Sequence, residues 1–109
     1  MPGQDVAYYA FGDRIFTGNA DGLTTIVESF FEAGPPATIV FDLERVRLCD
    51  SYGLRFFLNL QRRASANKKT MILYRPDSIF RNLLEDTRLI HVFTVTDKLD
   101  PAIESAINS

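Results

Sequence analysis

One cysteine and one histidine leave this sequence few ways to build a metal centre and none to close a disulfide within the chain. A zinc site around Cys49 and His91 would need an unusual carboxylate-rich set of ligands. No apolar run approaches the ~20 residues that span a bilayer, and the opening Met1-Pro2-Gly3-Gln4-Asp5 lacks the basic and apolar regions of a secretory signal. The formal net charge is only −2, which supplies no general attraction to nucleic acid or to an anionic membrane. Glycine-rich phosphate loops are missing, as are internal repeats and low-complexity tracts. These absences point to a protein of the reducing cytoplasm, with no cofactor, no metal, no direct contact with nucleic acid and no membrane insertion.

What is present suits one ordinary globular core. Of 109 residues, 46% are apolar, which argues against disorder and for a single domain over residues 1–109. Val6 to Phe11 has strand character, Gly12-Asp13 a tight turn, and Arg14 to Phe16 a short second strand, so an opening hairpin is expected. Leu23, Ile26, Val27, Phe30 and Phe31 repeat at helical spacing and face inward in this reading. Gly34-Pro35-Pro36 ends that helix. Thr38 to Leu43 is almost continuously apolar, as a strand covered on both faces should be.

A second helix is expected from about Tyr52 to Ala66, with Gly53, Phe56, Phe57, Leu60 and Ala64 inward and Leu54 and Leu58 on the flanks. The strand Thr70 to Tyr74 follows. Pro76 suits the first turn of a third helix, with Ile79, Phe80, Leu83 and Leu84 inward. His91 to Val95 forms a last strand and Pro101 to Ile107 a last helix. The order ββαβαβαβα predicts an α/β domain: a mixed, mostly parallel sheet with an opening hairpin, packed by about four helices.

The stretch Thr38-Ile39-Val40-Phe41-Asp42-Leu43, followed by Val46-Arg47-Leu48-Cys49-Asp50-Ser51-Tyr52-Gly53-Leu54, resembles the signature of STAS domains. In that family a buried strand ends in Asp-Leu, and an Asp-Ser-Ser-Gly-Leu segment then opens a helix. Tyr74 to Leu84 and Leu89 to Phe93 are similar to the family's later strand and helix steps. The resemblance implies a docking protein, not an enzyme, with an anti-sigma factor that is also a serine kinase as its partner. Anti-sigma factor antagonists of this family bind such a kinase and free the sigma factor until a serine is phosphorylated. Other relatives are subunits of signalling scaffolds or of transport ATPases, which is the alternative reading. Two positions depart from the pattern: Tyr52 stands where the usual acceptor serine is, and Phe16 where an aspartate is common.

Several residues carry that reading. Asp50 or Ser51 can cap the second helix, and Ser51 is also the phosphorylation candidate, since a phosphate there would bring up to about two negative charges. Tyr52 is a poor substitute acceptor, because a phenol reaches farther than a serine hydroxyl. Tyr52, Arg55, Asn59 and Arg62 lie at spacings of three and four on one outward face, and with Asp50 and Ser51 they form the expected partner-binding surface. Tyrosine and arginine are common interface anchors, although a solvated face would show the same pattern. Cys49 reads as a small core residue. The Phe30-Phe31 and Phe56-Phe57 pairs read as core, and Arg62-Arg63 with Lys68-Lys69 as solvation of a helix end. No catalytic residue is assigned: a triad of Ser51, His91 and an aspartate has no support in the spacing.

Overall fold

A computed structural model of the chain describes residues 6–15 and 17–108. Its strands are β1 (Val6–Ala10), β2 (Arg14–Ile15), β3 (Thr38–Asp42), β4 (Leu48–Cys49), β5 (Thr70–Tyr74) and β6 (Thr94–Thr96). Its helices are α1 (Thr17–Val27), which runs on into a tighter turn Glu28–Phe31, then α2 (Ser51–Ala66), α3 (Ser78–Asp86) and α4 (Pro101–Asn108). A four-stranded sheet has the order β1-β3-β5-β6 with every pair parallel, and β2 and β4 form a separate parallel pair. The almost unbroken apolar run in β3 is thereby explained, because β3 is an inner strand with helices over both faces.

Alternation along the strands divides the core. Ile39, Phe41, Met71 and Leu73 meet Val27, Phe31, Phe56, Phe57, Phe80 and Leu84 from the segments around α1, α2 and α3. Val40 and Ile72 point the other way and meet Leu99, Ile103 and Ile107 at α4. Aromatic rings dominate the larger layer. Phe11 lies edge-on to Phe41 at 5.0 Å and to Phe57 at 5.5 Å between centroids, and each such buried ring contributes roughly 1.5–3 kcal/mol.

Asp42 ends β3 with its side chain buried and both carboxylate oxygens engaged. Oδ1 accepts the Glu44 N–H at 3.0 Å; Oδ2 accepts the Tyr8 hydroxyl at 2.5 Å and an Arg75 N–H at 2.9 Å. Arg75 also pairs with Glu44 at 2.5 Å and lies 4.5 Å over the Tyr74 ring. Its backbone adopts a left-handed conformation, φ 57°, which turns the chain sharply off β5. Burial alone would raise the Asp42 pKa, but the hydrogen bonds from Tyr8, Glu44 and Arg75 outweigh it and hold the carboxyl below its usual value. Burial, reinforced by the bond to Asp42, pushes the Tyr8 phenol up to about 12.

The α/β class and its parallel sheet are as read from the sequence, with differences in detail. The opening hairpin is corrected. β1 and β2 belong to different sheets, because Phe11 still gives its N–H to the Asp42 carbonyl at 3.1 Å while Asp13 turns away to accept from Arg47 at 2.8 Å. A turn signal between two apolar runs marks the bend but not which strands pair across it. Of the second expected strand, Phe16 lies outside the described residues.

The last strand begins at Thr94, since Leu89 and Ile90 still donate to the Leu84 carbonyl as α3 unwinds. β4 was not anticipated; two residues are too few for a periodicity. Ile26 and Ile79, expected inward, are 53% and 71% exposed, because Val27 and Phe80 take the inward positions beside them. Lys69, expected in solvent, is buried: its ammonium donates to the Gly34 and Pro36 carbonyls, both at 2.7 Å, and fastens the loop before β3.

The Asp42 arrangement predicts a pH signature. A carboxyl with a depressed folded pKa adds stability above its unfolded value, near 4, and that stability is lost as pH falls toward the folded value. Asp42→Asn should therefore be less stable than the parent at pH 7, with the gap narrowing as pH falls below about 4. Chemical denaturation of both proteins across that range would check it; a gap that stays constant would disprove the assignment.

Candidate functional site

The site grows from the β2–β4 pair, where Ile15 lies opposite Cys49. Just past β4, Asp50 adopts an extended backbone, φ −91° and ψ −172°, and caps α2. Its Oδ1 accepts the Tyr52 and Gly53 N–H groups at 3.1 and 3.0 Å, while its carbonyl accepts from Leu54 at 3.0 Å. Of the two residues suited to capping, Asp50 takes the role, and this leaves the exposed Ser51 side chain free of it.

Gly53 explains how closely α2 approaches. A Cβ on it would lie 2.4 Å from the Ile15 carbonyl oxygen and 2.7 Å from the Cys49 sulfur. No larger residue fits without moving the helix or the strand. The stripe Gly53, Leu54, Phe56, Phe57, Leu60 and Ala64 then packs inward, which places Leu54 in the core and not on a flank.

The same rotation carries Ser51, Tyr52, Arg55, Asn59 and Arg62 outward, all exposed. Five of the six residues read as a partner surface therefore share one helix face, with Asp50 at its start. The Arg55 guanidinium lies 5.6 Å from the Tyr52 ring centroid, a cation–π distance. Neither Arg55 nor Arg62 has an ion-pair partner among the described residues. This is a cationic, aromatic surface on a rigid support.

Beside the start of α2, a small groove is lined by residues that include Val46, Cys49, Asp77, Ile79, Phe80 and Leu83. Ile79 stands exposed at its rim. Asp77 caps α3 by accepting the Phe80 N–H at 2.8 Å. The Cys49 thiol is pushed up to about 12, first by burial and then by the negative charges of Asp50 and Asp77. It is a poor nucleophile at neutral pH.

Sequence reasoning missed the groove, because its apolar rim comes from an isoleucine one position off the buried stripe of α3. It also missed the partners of Asp42. An aspartate closing an apolar run did signal that some cation or donor must meet it, but Tyr8 and Arg75 lie more than thirty residues away in sequence. Among the described residues no three His, Cys, Asp or Glu side chains cluster as metal ligands, and no helix is long and apolar enough to cross a membrane.

The sequence profile of the family described as STAS domain matches residues 3–106. The sequence finds no match among curated proteins. Among solved structures, the fold is similar to a sulfate transporter family protein from Wolinella succinogenes, with a TM-score of 0.77 at 20% identity over 95% of this chain and 86% of that one. It is also similar to the anti-sigma factor antagonist SpoIIAA in its unphosphorylated form, with a TM-score of 0.73 at 18% identity over 96% and 87%. The phosphorylated form of SpoIIAA, a Bacillus cell fate determinant, gives 0.69 at 18% identity over 96% and 90%. At these identities the likeness is one of fold.

The tight approach at Gly53 yields a prediction. Gly53→Ala should lower stability by roughly 1–3 kcal/mol, as overpacking in a close-packed site does, despite alanine's better helix propensity. Urea unfolding of the two proteins measures this. A stabilised variant would mean that α2 stands farther from β2 than described.

Proposed function

The chain belongs to the STAS domain family, and from that premise we propose that it acts by docking a partner protein through the outward face of α2. The partner proposed is an anti-sigma factor with serine-kinase activity, which the bound domain prevents from holding its sigma factor. The observation that carries the reading is the surface beginning at the Asp50 cap: Tyr52, Arg55, Asn59 and Arg62 exposed together, with neither guanidinium group in an ion pair among the described residues. Such groups steer and orient an acidic partner by charge complementarity. The proposed role is non-catalytic and set in the cytoplasm.

Ser51 is the proposed phosphorylation site. It is exposed, whereas Tyr52 stands at the usual acceptor position and presents a phenol. A phosphate on Ser51 would lie beside the Asp50 carboxylate, which already holds the Tyr52 and Gly53 amides. The added charge meets a carboxylate instead of free N–H donors, and it turns a mainly cationic surface toward negative. Release of an acidic partner follows from that change.

A second reading is favoured by the fold likeness to the sulfate transporter family protein: the same face would hold a cytoplasmic subunit or segment of a transport complex. Affinity purification from the native host separates the two, since one predicts recovery of an ATP-binding anti-sigma factor and the other of a transport protein.

In either case Arg55→Glu should weaken capture of the partner about tenfold or more, as loss of an arginine anchor does, with unfolding unchanged because Arg55 is exposed. Binding by titration calorimetry, with thermal unfolding alongside, checks both halves. Undiminished affinity in a normally folded variant would remove α2 from the interface.

A further inference from the structure

Ser51 opens α2 with its side chain exposed and unused by the cap, because Asp50 has taken that role. An anion at the start of a helix ordinarily sits on the first free amides. Here the Asp50 Oδ1 already accepts the Tyr52 and Gly53 N–H groups, at 3.1 and 3.0 Å, and its charge repels a second negative group. A phosphate on Ser51 is therefore turned outward along the helix, toward a cation within one turn.

Spacing selects that cation. Residues four apart on a helix are neighbours, and an acidic group placed N-terminal to a basic one is the favoured order. Four residues after Ser51 comes Arg55, which is exposed and in no ion pair among the described residues. Its guanidinium lies 5.6 Å from the Tyr52 ring centroid. A cation–π contact at an exposed site is weak, whereas a guanidinium and a phosphate form charge-assisted, bidentate hydrogen bonds. Two cations near this end of the helix are engaged elsewhere: Arg47 donates to the Glu44 and Val46 carbonyls at 2.7 and 3.4 Å, and Arg14 pairs with Asp13. Arg62 lies about 16 Å farther along the helix axis.

We propose that a phosphate on Ser51 draws the Arg55 guanidinium off the Tyr52 ring and binds it across one turn of α2, switching the docking face off from within. The inference rests on the reading of Ser51 as the modified residue and of this face as the docking surface. In the transfer, the Ser51 Oγ attacks the terminal phosphorus of a nucleoside triphosphate held by the partner kinase. The Oγ–P bond forms, the bond to the bridging oxygen breaks, the nucleoside diphosphate leaves with the electron pair, and the serine proton passes to a base of the kinase. The phosphate then occupies the Arg55 N–H groups that an acidic partner would use, and Tyr52 loses the cation stacked on it. Two neighbouring anchors fail together, and neither loss requires a clash with the partner's own groups.

The test uses the full chain with phosphoserine placed at position 51 during synthesis, so that neither kinase nor partner enters it. Phosphorus NMR across pH follows the second ionisation of the phosphate, which lies near pH ~6 when unperturbed. Pairing with Arg55 favours the dianion. The midpoint should therefore rise by a few tenths of a pH unit in Arg55→Gln and stay in place in Arg47→Gln and Arg62→Gln. The Asp50 carboxylate and the helix dipole act alike in all of these proteins and cancel from the comparison. In nitrogen–proton spectra, the Arg55 Nε–H signal should move downfield on phosphorylation, as it leaves the shielding region above the Tyr52 ring. A midpoint that Arg55→Gln leaves unchanged, or that Arg47→Gln moves instead, overturns the proposal. Phosphate on Ser51 in protein from the native host is read separately, by mass spectrometry; its absence would remove the phosphorylation reading and leave the docking face standing.

Discussion

Asp42 holds together the part of the molecule on which its surface is built. Three strands must finish in register for the loop after β3 to launch α2 in the right direction, and a carboxylate at their shared end ties all three. Tyr8 reaches it from β1, Glu44 from the following loop and Arg75 from the end of β5. The Asp42 carbonyl meanwhile receives Phe11. A buried charge of this kind costs several kcal/mol in desolvation unless its lone pairs are satisfied. Here three donors satisfy them, and the demand for those donors is what specifies the geometry.

From that anchor the chain crosses to the β2–β4 pair and turns into α2, where two small features set the surface. The Asp50 carboxylate satisfies the first free amides of the helix, and the missing side chain at Gly53 lets the helix press on the Ile15 carbonyl. Gly53 is buried and Asp50 sits half-buried at the edge of the exposed face. They determine its orientation, and through it which residues of α2 reach solvent.

Much of this was legible in the sequence because it is local. Helical spacing in Tyr52 to Ala66 separated the packed stripe from the outward residues correctly, apart from Leu54, and the unbroken apolar run at Thr38 to Leu43 identified an inner strand. What was not legible is non-local or borderline. The partner of β1 depends on a strand more than thirty residues on, so Gly12-Asp13 misleadingly read as a hairpin turn. Ile26 and Ile79 each adjoin a larger or better-placed neighbour, and helical periodicity cannot decide between adjacent apolar residues. Lys69 read as solvated because the carbonyls that draw it inward come from the Gly34–Pro36 loop, far away in sequence.

The missing side chain at position 53 also couples two stretches of the chain in any course of variation. Carbonyl and sulfur atoms close in on that site from Ile15 and Cys49, and a backbone carbonyl cannot be trimmed by substitution. Residue 49 can shrink to make room on one side, but the β2 side yields only if the strand itself shifts. A lineage that lost this glycine would have to re-dock the whole helix, and with it every outward residue; the chemistry of the exposed positions is free to drift while their placement is not.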